Sequence, residues 1–420
     1  MKIFKKAFWL IATFTLFAST GFSEDYYQID KPGIKKFGIT VQTETVSSKN
    51  KIFIKRLEKM LEQSLLFTNV EKQDADFIFN MKASVEEQTI LFSLEGAKSK
   101  IVNKQTFGIN LTSTEDDYLS FRTAQVANKV IQELFKIKGS IGSTIVYSRT
   151  EDNRKMLYMN QVAINSKPVR ITYNQYSNSN VSWNPDKTKI VYTAHTIKGS
   201  QIMTQQVVPL LLETFVVFKD LGKASGPYWG TDNNVYMTLH VTNRNSDIYQ
   251  FGFKGSDPAE LSKIKRLTSN SGIETEGQLS PDGTQLAYVS DKTGSPQIYL
   301  LDINANKSTR LTKSGGYNVT PAWAPNGKSI AFRGIRNKIS AIYRIDLSSN
   351  KERQITPNAI DAEEPTWSPD NSLIAFVGKR GDSASKIYFA LASGAKEINR
   401  LTESDDDVIE STPSWGPDLR

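Results

Sequence analysis

Carboxylates recur at fixed points of this 420-residue sequence. Six places in its C-terminal two thirds carry a tryptophan, or once a leucine, just ahead of a turn-forming tetrapeptide. At three of them acids stand directly before it: Glu274 and Glu276 before Leu279; Asp361, Glu363 and Glu364 before Trp367; Glu410 before Trp415, with Asp405 to Asp407 slightly earlier. Carboxylates drawn from separate segments to one opening would attract a cationic protein surface or a divalent ion. Glu276, Glu363, Glu364 and Glu410 are therefore candidates for a partner site, with calcium as the ion they would take. No catalytic residue and no other cofactor is expected. His195 and His240 are the only histidines, 45 residues apart, which rules out a local two-histidine metal motif. A nucleophile elbow of the G-x-S-x-G type is missing. With no cysteine there is neither thiolate chemistry nor a disulfide. Asp405-Asp406-Asp407 has the residue type for a hard cation, although solvated turn acids are the simpler reading.

The elements that would position these acids are repeats. Ser280-Pro281-Asp282-Gly283 suits a type I turn, and it returns as Asn184-Pro185-Asp186-Lys187, Ala324-Pro325-Asn326-Gly327, Ser368-Pro369-Asp370-Asn371 and Gly416-Pro417-Asp418-Leu419. Gly230-Thr231-Asp232-Asn233 is a decayed copy. Trp183, Trp229, Leu279, Trp323, Trp367 and Trp415 precede these turns at spacings of 46, 50, 44, 44 and 48 residues. A second series keeps the same period: Ile171-Thr172, Leu267-Thr268, Leu311-Thr312, Ile355-Thr356 and Leu401-Thr402. Ile-Tyr pairs at 248, 298, 342 and 387 form a third. Four short strands in such a period are one blade of a β-propeller.

Radial sheets must close on themselves, because an open end leaves an unpaired edge in water. The sixth repeat has its first strand, Glu410 to Trp415, and nothing more. Its other three strands stand upstream, at Ser143 to Arg149, Lys155 to Val162 and Pro168 to Tyr173. Residues 143–420 are thus expected to form a six-bladed propeller closed by the C-terminal strand.

Ahead of it, residues 1–23 read as a signal peptide: Lys2, Lys5 and Lys6, an apolar run from Ala7 to Ala18, and Gly21-Phe22-Ser23. Residues 24–34 are an extended leader. Residues 35–137 read as a small α/β domain, with strands at 37–43, 76–85, 89–96 and 101–111 and helices at 50–67 and 116–136. Residues 138–142 link it to the propeller. The formal charge of +8 includes the three signal lysines and no acid from that segment, which leaves the mature protein at 8 − 3 = +5. Its basic residues are interspersed with acids, which argues against nucleic-acid binding. One blade departs from the pattern between Ile190 and Gly226, and its run from Val207 to Phe218 is expected to be buried; an exposed contact patch is the alternative.

The order of signal peptide, α/β domain, Ile137-Lys138-Gly139 junction and six Trp-Ser-Pro-Asp-Gly-type repeats resembles the TolB family, the periplasmic propeller components of Tol–Pal systems. The resemblance covers essentially the whole mature protein. It implies a monomeric, non-enzymatic periplasmic adaptor that supports outer-membrane integrity and constriction at cell division. Such a protein binds the peptidoglycan-associated lipoprotein Pal at the channel mouth and TolA through its mature N-terminal segment, here including Asp25, Tyr26 and Tyr27. It meets membranes only through these partners. A family contact loop with a His four residues before a Pro falls on Lys223 to Pro227, where Lys223 replaces the His and Gly226 keeps the small residue. The repeat also occurs in other propellers, so two alternatives stand: an envelope hydrolase or lyase, or a sugar- or peptidoglycan-binding propeller without Tol partners.

Overall fold

A computed structural model describes residues 36–43, 48–84, 89–96, 105–110, 116–135, 137–162, 167–208, 210–218, 224–242, 245–254, 257–394 and 397–418. The expected signal peptide and leader lie outside them. The recurring turn has a local cause. The Ser280 hydroxyl donates to Asp282 Oδ1 at 2.6 Å and accepts from Gln285 N at 2.9 Å, while Asp282 Oδ1 accepts from Thr284 N at 3.0 Å. Both side chains thereby satisfy main-chain groups across the reversal. Ser368 and Asp370 repeat the arrangement. Thr268, Thr312 and Thr356 explain the second series, each accepting through Oγ1 from the amide of the Ile in an Ile-Tyr pair at 2.9–3.1 Å. The arginines two residues earlier donate from Nε to the carbonyls of Thr268, Thr312 and Thr402 at 2.7–2.8 Å.

These units build six four-stranded antiparallel sheets, numbered here by their inner strands: Ser177–Trp183, Ala224–Trp229, Glu274–Leu279, Tyr317–Trp323, Asp361–Trp367 and Glu410–Asp418. Blade 6 is composite. Its inner strand pairs with Ser143–Glu151 in the register Glu410↔Arg149 and Trp415↔Ile145, and Arg154–Gln161 and Val169–Arg170 complete it. Tryptophan suits the end of the inner strand because it has both a large apolar ring and one donor. The rings are buried, and the indoles of Trp183, Trp323 and Trp367 donate across the blade boundary to Ser414 O, Gln278 O and Ala322 O at 3.0–3.2 Å.

The N-terminal region is a five-stranded sheet in the order Phe67–Asn69, Phe37–Thr43, Phe77–Ser84, Thr89–Gly96, Gln105–Asn110. It carries helices at Ser48–Gln63 and Asp116–Phe135. The first helix stops four residues short of the expected Phe67. Leu65 takes a left-handed φ of 64°, and Phe67 opens an added parallel strand beside Phe37. The core formed by Phe53, Leu57, Ile131 and Leu134 runs on through Ile141 into Leu373 and Trp415, so this region packs against the turn side of blades 5 and 6. Asn128 on the second helix holds the linker, donating to Ile141 O at 2.8 Å and accepting from Ile141 N at 3.1 Å. Gly139 is required there: its φ is +78°, and a Cβ would lie 2.4 Å from Asn128 Oδ1.

The apolar run departs from its expected burial. Val207 is buried, but Leu210–Phe218 is the outermost strand of blade 1, where Leu210, Phe215 and Val216 are 36%, 36% and 39% exposed. An outermost strand has a neighbour on one edge only, so side chains turned away from the adjoining blade meet solvent.

Candidate functional site

Each inner strand breaks its register three residues before its Trp or Leu. The residues there, Asn180, Gly226, Glu276, Thr320, Glu364 and Thr412, all have left-handed φ between 50° and 59°. A bulge of this kind interrupts the alternation of faces and re-aims one side chain. Here all six border the same central channel, with a volume of about 690 Å³ and walls rich in Trp and Pro.

Two of the six carry carboxylates. Glu276 Oε2 accepts from Thr320 N and Glu364 Oε2 from Thr412 N, each at 2.6 Å, so each acid is anchored to the matching bulge of the next blade. Burial, reinforced by the charge of Glu364, pushes the Glu276 carboxyl up to about 7, against the opposing pull of the Thr320 amide. Burial raises Glu364 as well, with Glu363 adding to it. An acid whose folded pKa lies above its ordinary 4.5 binds its proton more readily when folded. Its ionisation therefore costs stability as pH rises through this interval, in full above about 7 and not at all below 4.5. Glu276→Gln is accordingly expected to raise the melting temperature by a few degrees at pH 8, with the gain fading towards pH 4.5. Thermal denaturation across this range checks it, and an equal gain at both ends would remove burial of the charge as the cause.

The other expected acids divide. Glu363 stands beside the bulge and pairs with Arg333 Nη1 at 2.8 Å. Glu410 is not at the mouth: it is 0% exposed, as is Glu274 at the equivalent position of blade 3. Five residues before the Trp or Leu, the inner strand still faces into the blade. Glu410 Oε2 accepts there from Ile387 N at 3.2 Å and from the Thr402 hydroxyl, so its role is structural. Gly226 borders the channel, with open space where a Cβ would stand. Lys223, Asp25, Tyr26 and Tyr27 lie outside the described residues. The turn Asp405 to Asp407 wraps basic side chains: Lys386 Nζ donates to the Asp405 and Val408 carbonyls, and Arg400 pairs with Asp406 at 3.6 Å. His195 and His240 occupy corresponding places in blades 1 and 2, with Nε2 at 2.8 Å from Ser179 Oγ and 3.3 Å from Ser225 Oγ. Among the described residues, no three His, Cys, Asp or Glu come together as metal ligands.

Sequence reasoning missed Asn180, Thr320 and Thr412 as channel residues. It also missed Arg333, paired with Glu363, and Lys187 on the channel wall. One signal was available: Pro227, Pro321, Pro365 and Pro413 each stand two residues before the Trp, and a recurrent proline inside a strand marks a bulge.

Residues 132–419 match the family described as TolB beta propeller domain. A Chlorobium luteolum protein named as a TolB homolog is 28% identical over 190 residues, 44% of this chain and 40% of that protein. The Tol-Pal system protein TolB of Bordetella pertussis is 24% identical over 202 residues, 46% of this chain and 42% of its own. The chain thus spans about two fifths of the curated relatives it matches. Among solved structures, TolB from Acinetobacter baumannii superposes with a TM-score of 0.76 at 20% identity, over 92% of this chain and 98% of that one. Hydrazine synthase from Kuenenia stuttgartiensis reaches 0.55 at 10% identity, over 67% and 48%. At such identities the likeness is one of fold.

Proposed function

The chain belongs to the TolB β-propeller family, and from that premise we propose that it is a non-enzymatic periplasmic adaptor of a Tol–Pal system. In this reading the lipoprotein Pal docks over the channel opening at which the inner strands begin. TolA takes the segment 24–34 by strand addition, in which main-chain hydrogen bonds supply much of the binding. Linking the two partners would support outer-membrane integrity and constriction at division. No helix among the described residues is long and apolar enough to cross a membrane.

The observation that carries the docking site is the pair Glu276 and Glu364. Both are held by strained bulges, and each is tied to a neighbouring blade. Two carboxylates whose charged form burial disfavours gain most from a cationic surface, which chiefly speeds association and sharpens specificity. The same carboxylates are the protein's share of the calcium site suggested by the sequence. Calcium takes six to eight oxygens, and water and the partner would supply the rest. Surface plasmon resonance with Pal at two salt concentrations, with and without calcium, tests the reading. Glu276→Gln with Glu364→Gln is expected to slow association about threefold to tenfold and to flatten its salt dependence. Unchanged association would move the partner elsewhere.

A further inference from the structure

Where the N-terminal region closes over the turn of blade 5, the seam is largely apolar, with Leu66, Ile131, Val162 and Leu373 on its walls. Within it lies a cavity of about 10 Å³, bordered also by Gln63 at the end of the first helix, by Ser140 of the linker and by Asp370 of the turn. Two oxygens of these residues are buried without a hydrogen-bond partner among the described residues: Ser140 Oγ, in a residue only 4% exposed, and Asp370 Oδ2. The other oxygen of that carboxylate serves the turn, accepting from the Ser368 hydroxyl at 2.6 Å and from the amide and hydroxyl of Ser372 at 3.1 and 2.8 Å. Asp186 and Asp282 hold the same place in the turns of blades 1 and 3, and both are exposed, so bulk water reaches their carboxylates. In blade 5 the N-terminal region covers this place instead. A carboxylate oxygen and a hydroxyl left dry would each carry an unrepaid desolvation cost.

From this geometry we infer that the cavity is a binding site for one water molecule, which donates to Asp370 Oδ2, accepts from the Ser140 hydroxyl and takes its third contact from Gln63. A space of about 10 Å³ is room for a single water, and three polar partners is the usual number for a buried one. The water bridges the N-terminal region, the linker and the ring. Apolar contacts hold the rest of the seam without regard to direction; hydrogen bonds are directional, so the bridge fixes how the linker sits on the blade 5 turn. The inference goes beyond adaptor function and does not depend on it, since it concerns the junction inside the protein and no partner.

A high-resolution crystal structure of the full-length protein tests the site. A water oxygen within about 2.6–3.2 Å of both Asp370 Oδ2 and Ser140 Oγ is expected. Thermal melting of variants tests what the water does. Ser140→Ala should lower the melting temperature by about 2 °C, the scale of one hydrogen bond in a large protein. Asp370→Asn should have a similar effect without harming the turn, because Asn326 holds that place in blade 4 and its Oδ1 accepts from Lys328 N at 2.9 Å. The two losses should not add, since each breaks a contact to the same water. Sodium is of similar size, so the parent is also melted in sodium chloride and in choline chloride, and equal melting temperatures are expected. A loss of stability in choline would assign the cavity to a sodium ion and overturn the inference. Fully additive losses, or a structure with no water at the two oxygens, would overturn it as well.

Discussion

Deletion of residues 408–420 is expected to lower the melting temperature by more than about 15 °C and to leave a protein that aggregates on heating. The segment contains the inner strand of blade 6, which among the described residues joins the end of the propeller to its beginning. Trp415 is buried in the core shared with the N-terminal region, and its indole donates to Ser143 Oγ at 2.7 Å. Loss of a buried Trp side chain costs about 3–5 kcal/mol, and the lost ladder to Ser143–Glu151 adds to it. The indole of Trp183 would also lose its acceptor, Ser414 O. Ser143–Glu151 would be left as an open inner edge, ready to pair with another molecule. Trp415→Ala is the milder variant and should produce an intermediate loss. Melting of the deleted protein within about 2 °C of the parent would mean that the ring does not need this strand.

Glu410→Ala is expected to cost about 3–5 kcal/mol, the range for removing one partner from a buried charged cluster. In melting temperature this is about 10 °C for a protein of this size. The carboxylate accepts from Ile387 N and from the Thr402 hydroxyl, taking the place that Thr Oγ1 fills towards the matching Ile in blades 2, 3 and 4. Its charge also opposes the effect of burial on Lys386, whose amine is otherwise served by Ser404 Oγ and two carbonyls. Glu410→Gln keeps the shape and an acceptor, and should lose only about 1–2 kcal/mol. Urea denaturation of the three proteins separates these outcomes. A Glu410→Ala variant as stable as the parent would return this residue to the exposed rim acids among which its spacing from Trp415 first suggested it.

These two positions mark the boundary between what local chemistry determines and what assembly decides. The repeat, its turns, the split blade and the N-terminal helices and strands were legible in the sequence, apart from the short strand Phe67–Asn69, which the helical pattern of the preceding residues had absorbed. Each depends on interactions within a few residues or on a period: Ser280 and Asp282 bond across their own turn, and Glu410 to Trp415 is a strand that lacks a blade. Proximity to the Trp also located Glu276, Glu363 and Glu364 near the channel. It could not separate them from Glu410 and Glu274, because two-residue alternation puts positions five and three before the Trp on the same face. The bulge between them breaks that alternation, turning Glu276 and Glu364 to the lumen and leaving Glu274 and Glu410 inside their blades. Nothing in the sequence singled out Lys187, the last residue of its turn, and only the assembled ring places it on the channel wall. Leu210, Phe215 and Val216 read as core, because apolarity is a property of the residue whereas burial depends on what packs against it. The sequence by itself determined the ring and its closure; only the tertiary structure decided which side chains face the channel, because that depends on a register shift repeated in six strands and on neighbours about 45 residues away.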